Sequence, residues 1–118
     1  VLGLIRAKDN MGVLDEPDAQ GYFLGSCGDR MQIDLRLSDG KIQEAKFLAD
    51  GCGATIACGS MITKMAIAKT LDKANLITQE ELLTALDGLP EDHIHCAELA
   101  VMTLREAVID AIEGHGNR

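Results

Sequence analysis

Five residues of this chain are candidate ligands for a transition metal. Cys27 and Asp29 occur in "SCGD", Cys52 occurs in "DGCGA", and His95 and Cys96 occur in "HIHCAEL". Thiolate and imidazole ligands suit zinc or an iron–sulfur cluster. Because the sequence contains no Cys-x-x-Cys pair, spacing alone defines no metal motif. The inference of a shared site therefore depends on where the predicted elements place these residues.

The pattern of apolar residues predicts strands first and helices afterwards. Strict alternation over 31–37 is typical of a half-buried strand, and Asp39-Gly40 predicts a hairpin turn into a second strand over 41–50. "GYFL" predicts a further short strand before "SCGD". We therefore expect a small three-stranded antiparallel sheet.

Helical periodicity begins after this hairpin. Apolar residues recur at helical spacing over 54–70 and again over 96–113, where Gly114 ends the pattern. Between them, Thr78 and Glu81 form a capping box for a shorter helix, after a connection over 69–78. The prediction is an α+β fold in one domain over 1–118, with a loop-rich segment over 1–19, a sheet packed on several helices and a long C-terminal helix.

In this predicted order of strands and helices, the three candidate cysteine ligands lie at junctions between elements. Cys27 lies in the turn before the hairpin, Cys52 precedes the first long helix, and Cys96 begins the last helix. The free amides and positive dipole at a helix N-terminus favour the thiolate form, which binds metal. Asp29 and His95 are close enough in sequence to join Cys27 and Cys96 in one site. The predicted ligand set therefore combines three thiols with a carboxylate and an imidazole.

Composition excludes several other functions. A net charge of −8 argues against binding of nucleic acid or of anionic membranes. No apolar run reaches the roughly 20 residues of a membrane span, and the N-terminus lacks a signal-peptide layout. The four cysteines are therefore expected to be reduced thiols of a cytoplasmic protein rather than two disulfides.

The stretch "SCGDRMQIDLRLSDGKIQEAKFLADGCGATIA" and the later "LPEDHIHCAELA" resemble the IscU/NifU N-terminal iron–sulfur scaffold proteins. The resemblance extends over about residues 10–113. It implies that Cys27, Asp29, Cys52 and Cys96 surround a transient 2Fe–2S cluster, with His95 as an alternative ligand. It also implies that Cys96 accepts persulfide sulfur. Such a chain is a scaffold or carrier rather than an enzyme.

The resemblance also implies partners. A cysteine desulfurase would supply sulfur, an iron donor and a ferredoxin would supply iron and electrons, and apoproteins would accept the cluster. Housekeeping members carry Leu-Pro-Pro-Val-Lys before the His-Cys pair, whereas this chain has Leu-Pro-Glu-Asp-His over 89–93. Recognition by the chaperone that binds the Leu-Pro-Pro-Val-Lys loop is therefore not expected.

Three residues outside this set have simpler interpretations. Cys58 lies on the apolar stripe of the first helix, which favours a core residue, although it could be an extra thiol at the site. His93 is expected to be an exposed loop residue, and His115 a surface residue near the C-terminus. Two other functions remain open: a zinc-dependent protein that relays persulfide, since the same ligands suit zinc, and an interaction domain that binds no metal.

Overall fold

A computed structural model describes residues 10–25 and 28–114 of the chain. Strands and helices in the described ranges follow in this order: β1 (Ala19–Leu24), β2 (Arg30–Ser38), β3 (Lys41–Asp50), α1 (Gly53–Ala66), α2 (Leu71–Asn75), α3 (Gln79–Ala85), a 3-10 turn (Glu91–His93) and α4 (Ile94–Glu113). The predicted α+β class, with its three-stranded antiparallel sheet and long C-terminal helix, is confirmed. None of the described helices is both long and apolar enough to cross a membrane.

The sheet has the order β1-β2-β3, and both pairs are antiparallel. In β2, Met31, Ile33 and Leu35 are buried, as their alternation predicts. The weaker alternation of β3 has a structural cause, because the pairing register shifts between Arg36 and Leu37 of the neighbouring strand. A bulge of this kind inserts one extra residue and changes the face to which the following side chains point.

The first long helix ends at Ala66, four residues before the predicted end. Ile67 is extended and Ala68 has a φ of 74°, which a helix cannot accommodate. The cause is tertiary, because the Ala68 amide donates to the carbonyl of Ile42, and the Ile42 amide donates to the carbonyl of Lys69. Pairing with the start of β3 thus overrides helical periodicity.

The connections between the helices contain more structure than the sequence predicted. The short helix α2 occupies part of the connection over 69–78, and its N-cap Thr70 accepts a hydrogen bond from the Lys73 amide. The capping box of α3 is present as predicted, with both the Thr78 and the Glu81 hydrogen bonds formed. The last helix begins at Ile94, directly after the 3-10 turn and two residues before the predicted start.

Two glycines allow helices to lie directly on the sheet. A Cβ on Gly21 of β1 would lie 2.3 Å from the Ala107 nitrogen of α4. A Cβ on Gly59 of α1 would lie 2.4 Å from Cδ2 of Phe47, which is fully buried in β3. The apolar core therefore lies between one face of the sheet and the helices α1 and α4.

The opposite face of the sheet is partly covered by the loop over 10–18. Asp34 points to this face but is only 1% exposed, because the loop and two glutamine side chains enclose its carboxylate. The Leu14 amide donates to Asp34 Oδ2 over 3.0 Å. The described contacts of this loop with Asp34, Leu35 and Phe47 lie away from the end of the sheet where Leu24 pairs with Arg30 and Arg30 pairs with Asp50.

Candidate metal centre

The N-termini of α1 and α4 meet at that end of the sheet and carry two of the predicted thiols. Cys52 is exposed and is the N-cap of α1, with an extended backbone conformation. Cys96 is buried in the first turn of α4. The Sγ atoms of both cysteines face the hydroxyl of Thr55, at 3.7 Å for Cys52 and 3.3 Å for Cys96.

Thr55 also binds the predicted carboxylate ligand. Its buried hydroxyl donates to Asp29 Oδ2 over 2.8 Å. The hydroxyl has a single proton, so Asp29 competes for it with the sulfur of Cys52 or Cys96 when either cysteine is a thiolate. A Cβ on Gly51 would lie 2.7 Å from the Thr55 hydroxyl oxygen and 3.0 Å from Asp29 Oδ2, so glycine lets the chain pass close to this pair. Sequence reasoning did not identify Thr55, which became visible only through its contacts.

His95 lies on the Asp29 side of Cys96. Its Nε2 is 3.7 Å from Cys96 Sγ and 3.8 Å from Asp29 Oδ2. A cleft of about 310 Å³ reaches His95 and Asp29 and is also lined by Phe23 and Leu99. Asp29, His95 and Cys96 form one group whose ligand atoms all lie within 4.8 Å of one another.

His93 differs from the expectation of an exposed loop residue. It is half-buried at the end of the 3-10 turn, and its Nδ1 lies 3.7 Å from Cys52 Sγ. Cys52, His93 and Cys96 form a second group of ligand atoms within 4.8 Å of one another. The sequence did contain a signal, because residues three apart at a helix start share one side, as His93 and Cys96 do.

The two thiols differ in their readiness to form thiolate. Partial burial would by itself raise the pKa of Cys52, but hydrogen bonds from the Thr55 and Ala54 amides and the Thr55 hydroxyl lower that pKa below its ordinary value. Burial raises the pKa of Cys96 to about 11; the Thr55 hydroxyl opposes this effect, and the negative charges of Cys52 and Asp29 add to it. Cys52 is therefore the more reactive of these two thiols at neutral pH.

Cys58 lies in the core of α1 with no exposed surface. Burial raises its pKa to about 12, and the charges of Cys96 and Cys52 add to the rise. The geometry is that of a core residue, and a role as an extra thiol at the site stays a prediction. Cys27 lies outside the described residues, as does His115.

Comparison with known proteins supplies a family pattern. The pattern of the NifU-like N terminal domain matches residues 1–114. The iron-sulfur cluster assembly scaffold protein IscU 1 of Archaeoglobus fulgidus is 39% identical over 108 residues, which cover 91% of this chain and 71% of that protein. The scaffold protein IscU of Escherichia coli K12 is 36% identical over 106 residues, covering 86% and 82% of the two chains.

Solved structures have the same fold. A putative iron-sulfur cluster assembly scaffold protein for the SUF system from Fervidobacterium islandicum superimposes with a TM-score of 0.66 at 21% identity, covering 91% of this chain and 92% of its own. The N-terminal part of a nitrogen-fixing NifU-like protein from Brucella abortus gives a TM-score of 0.62 at 23% identity, with coverages of 95% and 88%. At these identities the likeness concerns the fold alone.

Proposed function

Because the chain belongs to the NifU-like N-terminal domain family and is similar to IscU scaffolds over most of its length, we propose that it assembles a transient 2Fe–2S cluster for transfer to apoproteins. It acts as an iron–sulfur cluster assembly scaffold rather than as an enzyme. The observation that supports this most directly is the gathering of Cys52, Cys96, Asp29 and His95 at one accessible end of the fold.

The mixed ligand set suits a carrier. Permanent 2Fe–2S clusters are usually held by four thiolates. Here the described ligands include a carboxylate, which is a harder ligand than a thiolate, and an imidazole. Asp29 is also held by the Thr55 hydroxyl, so hydrogen bonding to Thr55 competes with metal binding for the same carboxylate oxygen. Weak ligands of this kind would let the cluster leave. Cys27 is proposed as the remaining thiolate, on the resemblance alone.

The proposed partners follow from the same function. A cysteine desulfurase supplies sulfur, an iron donor and a ferredoxin supply iron and electrons, and acceptor apoproteins take the finished cluster, all in the cytoplasm. The proposal that Cys96 accepts the persulfide has a competitor in Cys52, which is exposed and has a lowered pKa, whereas Cys96 is buried with a raised one. Mass spectrometry of the protein after reaction with the desulfurase would identify which cysteine carries the extra sulfur.

Anaerobic reconstitution tests the scaffold function. The protein is incubated with ferrous iron, a cysteine desulfurase and cysteine, and visible absorption reports cluster formation. We expect cluster bands in the wild type and in Cys58→Ala, whose thiol lies in the core, and their loss in Cys52→Ala. Absence of bands in the wild type, or equal bands in Cys52→Ala, would contradict the proposal.

A zinc-dependent sulfur relay is the second candidate, because the group of Cys52, His93 and Cys96 offers two thiolates and one imidazole, a ligand set that suits tetrahedral zinc. Zinc bound to purified protein would not decide between the two functions, since an empty scaffold can also bind zinc. The relay requires that removal of stoichiometric zinc abolish stimulation of the desulfurase. The scaffold requires that the zinc-free protein still assemble a cluster.

A further inference from the structure

We propose that His93 is a metal ligand that completes, with Cys52 and Cys96, a position for a divalent transition-metal ion such as zinc or ferrous iron. This position lies beside the one formed by Asp29, His95 and Cys96, and the two share the Cys96 thiol. The inference deepens the proposed function, because it assigns a ligand to the same end of the molecule.

The separation between the His93 and Cys52 ligand atoms fits a bound ion, and Cys96 Sγ lies within 4.8 Å of both. At zinc bond lengths of about 2.0 Å to nitrogen and 2.3 Å to sulfur, tetrahedral geometry places two ligand atoms about 3.5 to 3.8 Å apart. The distance between His93 Nδ1 and Cys52 Sγ is 3.7 Å. It equals the distance between His95 Nε2 and Cys96 Sγ in the neighbouring group. By this measure, His93 is as well placed for coordination as His95.

The second ring nitrogen of His93 supports the same role. Nε2 faces the carboxylate of Asp92, with 4.0 Å between the nitrogen and Oδ2. Metal-binding histidines commonly direct the nitrogen that does not bind the metal toward a carboxylate, which orients the ring and strengthens its donor nitrogen. At 4.0 Å this separation is longer than a hydrogen bond, so Asp92 would orient the ring only after a small movement of its exposed side chain.

The local backbone explains how His93 reaches the site. The 3-10 turn is closed by a hydrogen bond from the His93 amide to the Pro90 carbonyl, 2.8 Å long, and α4 follows immediately. His93 therefore lies three residues before Cys96, on the side that faces Cys52. The resembling housekeeping scaffolds carry a lysine at this place in the loop, and a protonated lysine cannot bind a metal ion. The position is thus a property of this chain's own sequence.

The two positions differ in chemical softness. Two thiolates and an imidazole favour zinc and ferrous iron, whereas Asp29 adds a hard oxygen to the other group. Because Cys96 belongs to both, an ion can change position while keeping one bond to the protein. Loss of His93 should therefore move the ion toward Asp29 and His95 instead of preventing binding altogether.

Cobalt(II) provides the probe, because its visible spectrum reports the number of thiolates and the coordination geometry. We would titrate wild type, His93→Ala and His93→Lys with Co²⁺ under anaerobic conditions and measure affinity by competition with a chelator. Even loss of an outer-sphere partner costs about 10–100-fold in metal affinity, so both variants should bind at least about tenfold more weakly. Their sulfur-to-cobalt charge-transfer bands should also decrease.

A neighbouring substitution provides the matched control. Glu91 is exposed in the same 3-10 turn, and Glu91→Ala should keep the wild-type affinity and spectrum. Unchanged cobalt affinity and spectrum in both His93 variants would overturn the inference. So would an equal loss in Glu91→Ala, which would indicate that altering the turn is sufficient. Circular dichroism of the metal-free variants verifies that each is folded.

This experiment is independent of cluster assembly. If the wild type forms no cluster but His93 variants still lose cobalt affinity, the scaffold function fails and the ligand assignment holds. If the wild type forms a cluster and the His93 variants bind cobalt normally, the assignment fails and the scaffold function holds.

Discussion

The N-cap of α1 and the middle of that helix have the same type of residue in opposite environments. Cys52 is exposed at the N-cap, with backbone amides and a threonine hydroxyl directed at its sulfur. Cys58, six residues later, has no exposed surface, and burial is the main cause of its raised pKa. The pKa of one thiol is lowered, and that of the other is raised to about 12.

Position along the helix, rather than residue type, therefore determines the chemistry of each thiol. The free amides exist only in the first turn, because further along the helix they bond to carbonyls of the preceding turn. The middle of α1 packs against the sheet, where Gly59 lies beside Phe47. One helix therefore provides a reactive end for the metal centre and an inert part for the core.

Alkylation rates should show the difference between Cys52 and Cys58 most strongly. At pH 8, a thiol with a pKa of about 12 is thiolate in only about one molecule in ten thousand. We expect iodoacetamide to modify Cys52 faster than Cys58 by orders of magnitude in the folded, metal-free protein. Tandem mass spectrometry can locate the label on either residue. Labelling in denaturant is the control, where the two rates should converge.

Comparable alkylation rates of Cys52 and Cys58 in the native protein would contradict the proposed difference in reactivity between the start and the middle of α1. Labelling of Cys96 in the same samples provides an intermediate case, because its pKa is raised to about 11. A rate for Cys96 equal to that of Cys52 would remove the argument that Cys52 competes with it for sulfur.

The sequence predicted the reactive end of α1 better than its surroundings. Glycines around Cys52 and the change of period after it were sufficient to identify a thiol at a helix start. The role of Thr55 was missed because it depends on contacts with residues far away in sequence, and the spacing of His93 from Cys96 gave no indication of its contact with Cys52, 41 residues away. Thr55 joins Asp29 to Cys96, and local periodicity carries no information about such a contact.

The same limit explains the errors in the fold. Alternation and capping residues are local signals, and they predicted the hairpin and the capping box at Thr78 correctly. The early end of α1 depends on hydrogen bonds between Ile42 and residues 68–69, which periodicity cannot detect. Burial of Asp34 likewise depends on a loop that crosses the sheet from the N-terminal side.

Two substitutions in α1 test whether the middle of the helix is tightly packed against the sheet while its first turn is not. In Gly59→Ala the new Cβ would lie 2.4 Å from the Phe47 ring, so the fully buried Phe47 or the helix would have to shift within the packed core. Overpacking of this kind costs about 1–3 kcal/mol, which exceeds the gain of about 1 kcal/mol from replacing a helical glycine by alanine. We expect a lower free energy of unfolding, measured by urea denaturation of the metal-free protein.

Gly53→Ala is the matched control, since a Cβ at Gly53 in the first turn would meet no heavy atom within 4 Å. Its free energy of unfolding should be unchanged or slightly higher. If both alanine variants were equally destabilised, the packing difference between the two parts of α1 would be disproved.

A smaller change in thiol pKa should follow removal of the Thr55 hydroxyl, which contacts Asp29, Cys52 and Cys96. Thr55 is buried and lowers the pKa of both Cys52 and Cys96 through its hydroxyl. Thr55→Val keeps the shape of the side chain and removes that hydroxyl, so the pKa of each thiol should rise. Because the Thr55 and Ala54 amides continue to stabilise the Cys52 thiolate, the change there should be limited.

The pH profile of Cys52 alkylation should therefore shift to higher pH, and Thr55→Ser, which restores a hydroxyl, should return it toward the wild-type profile. An unshifted profile in Thr55→Val would mean that the helix amides alone set the reactivity of Cys52, and Thr55 would then serve only to hold Asp29.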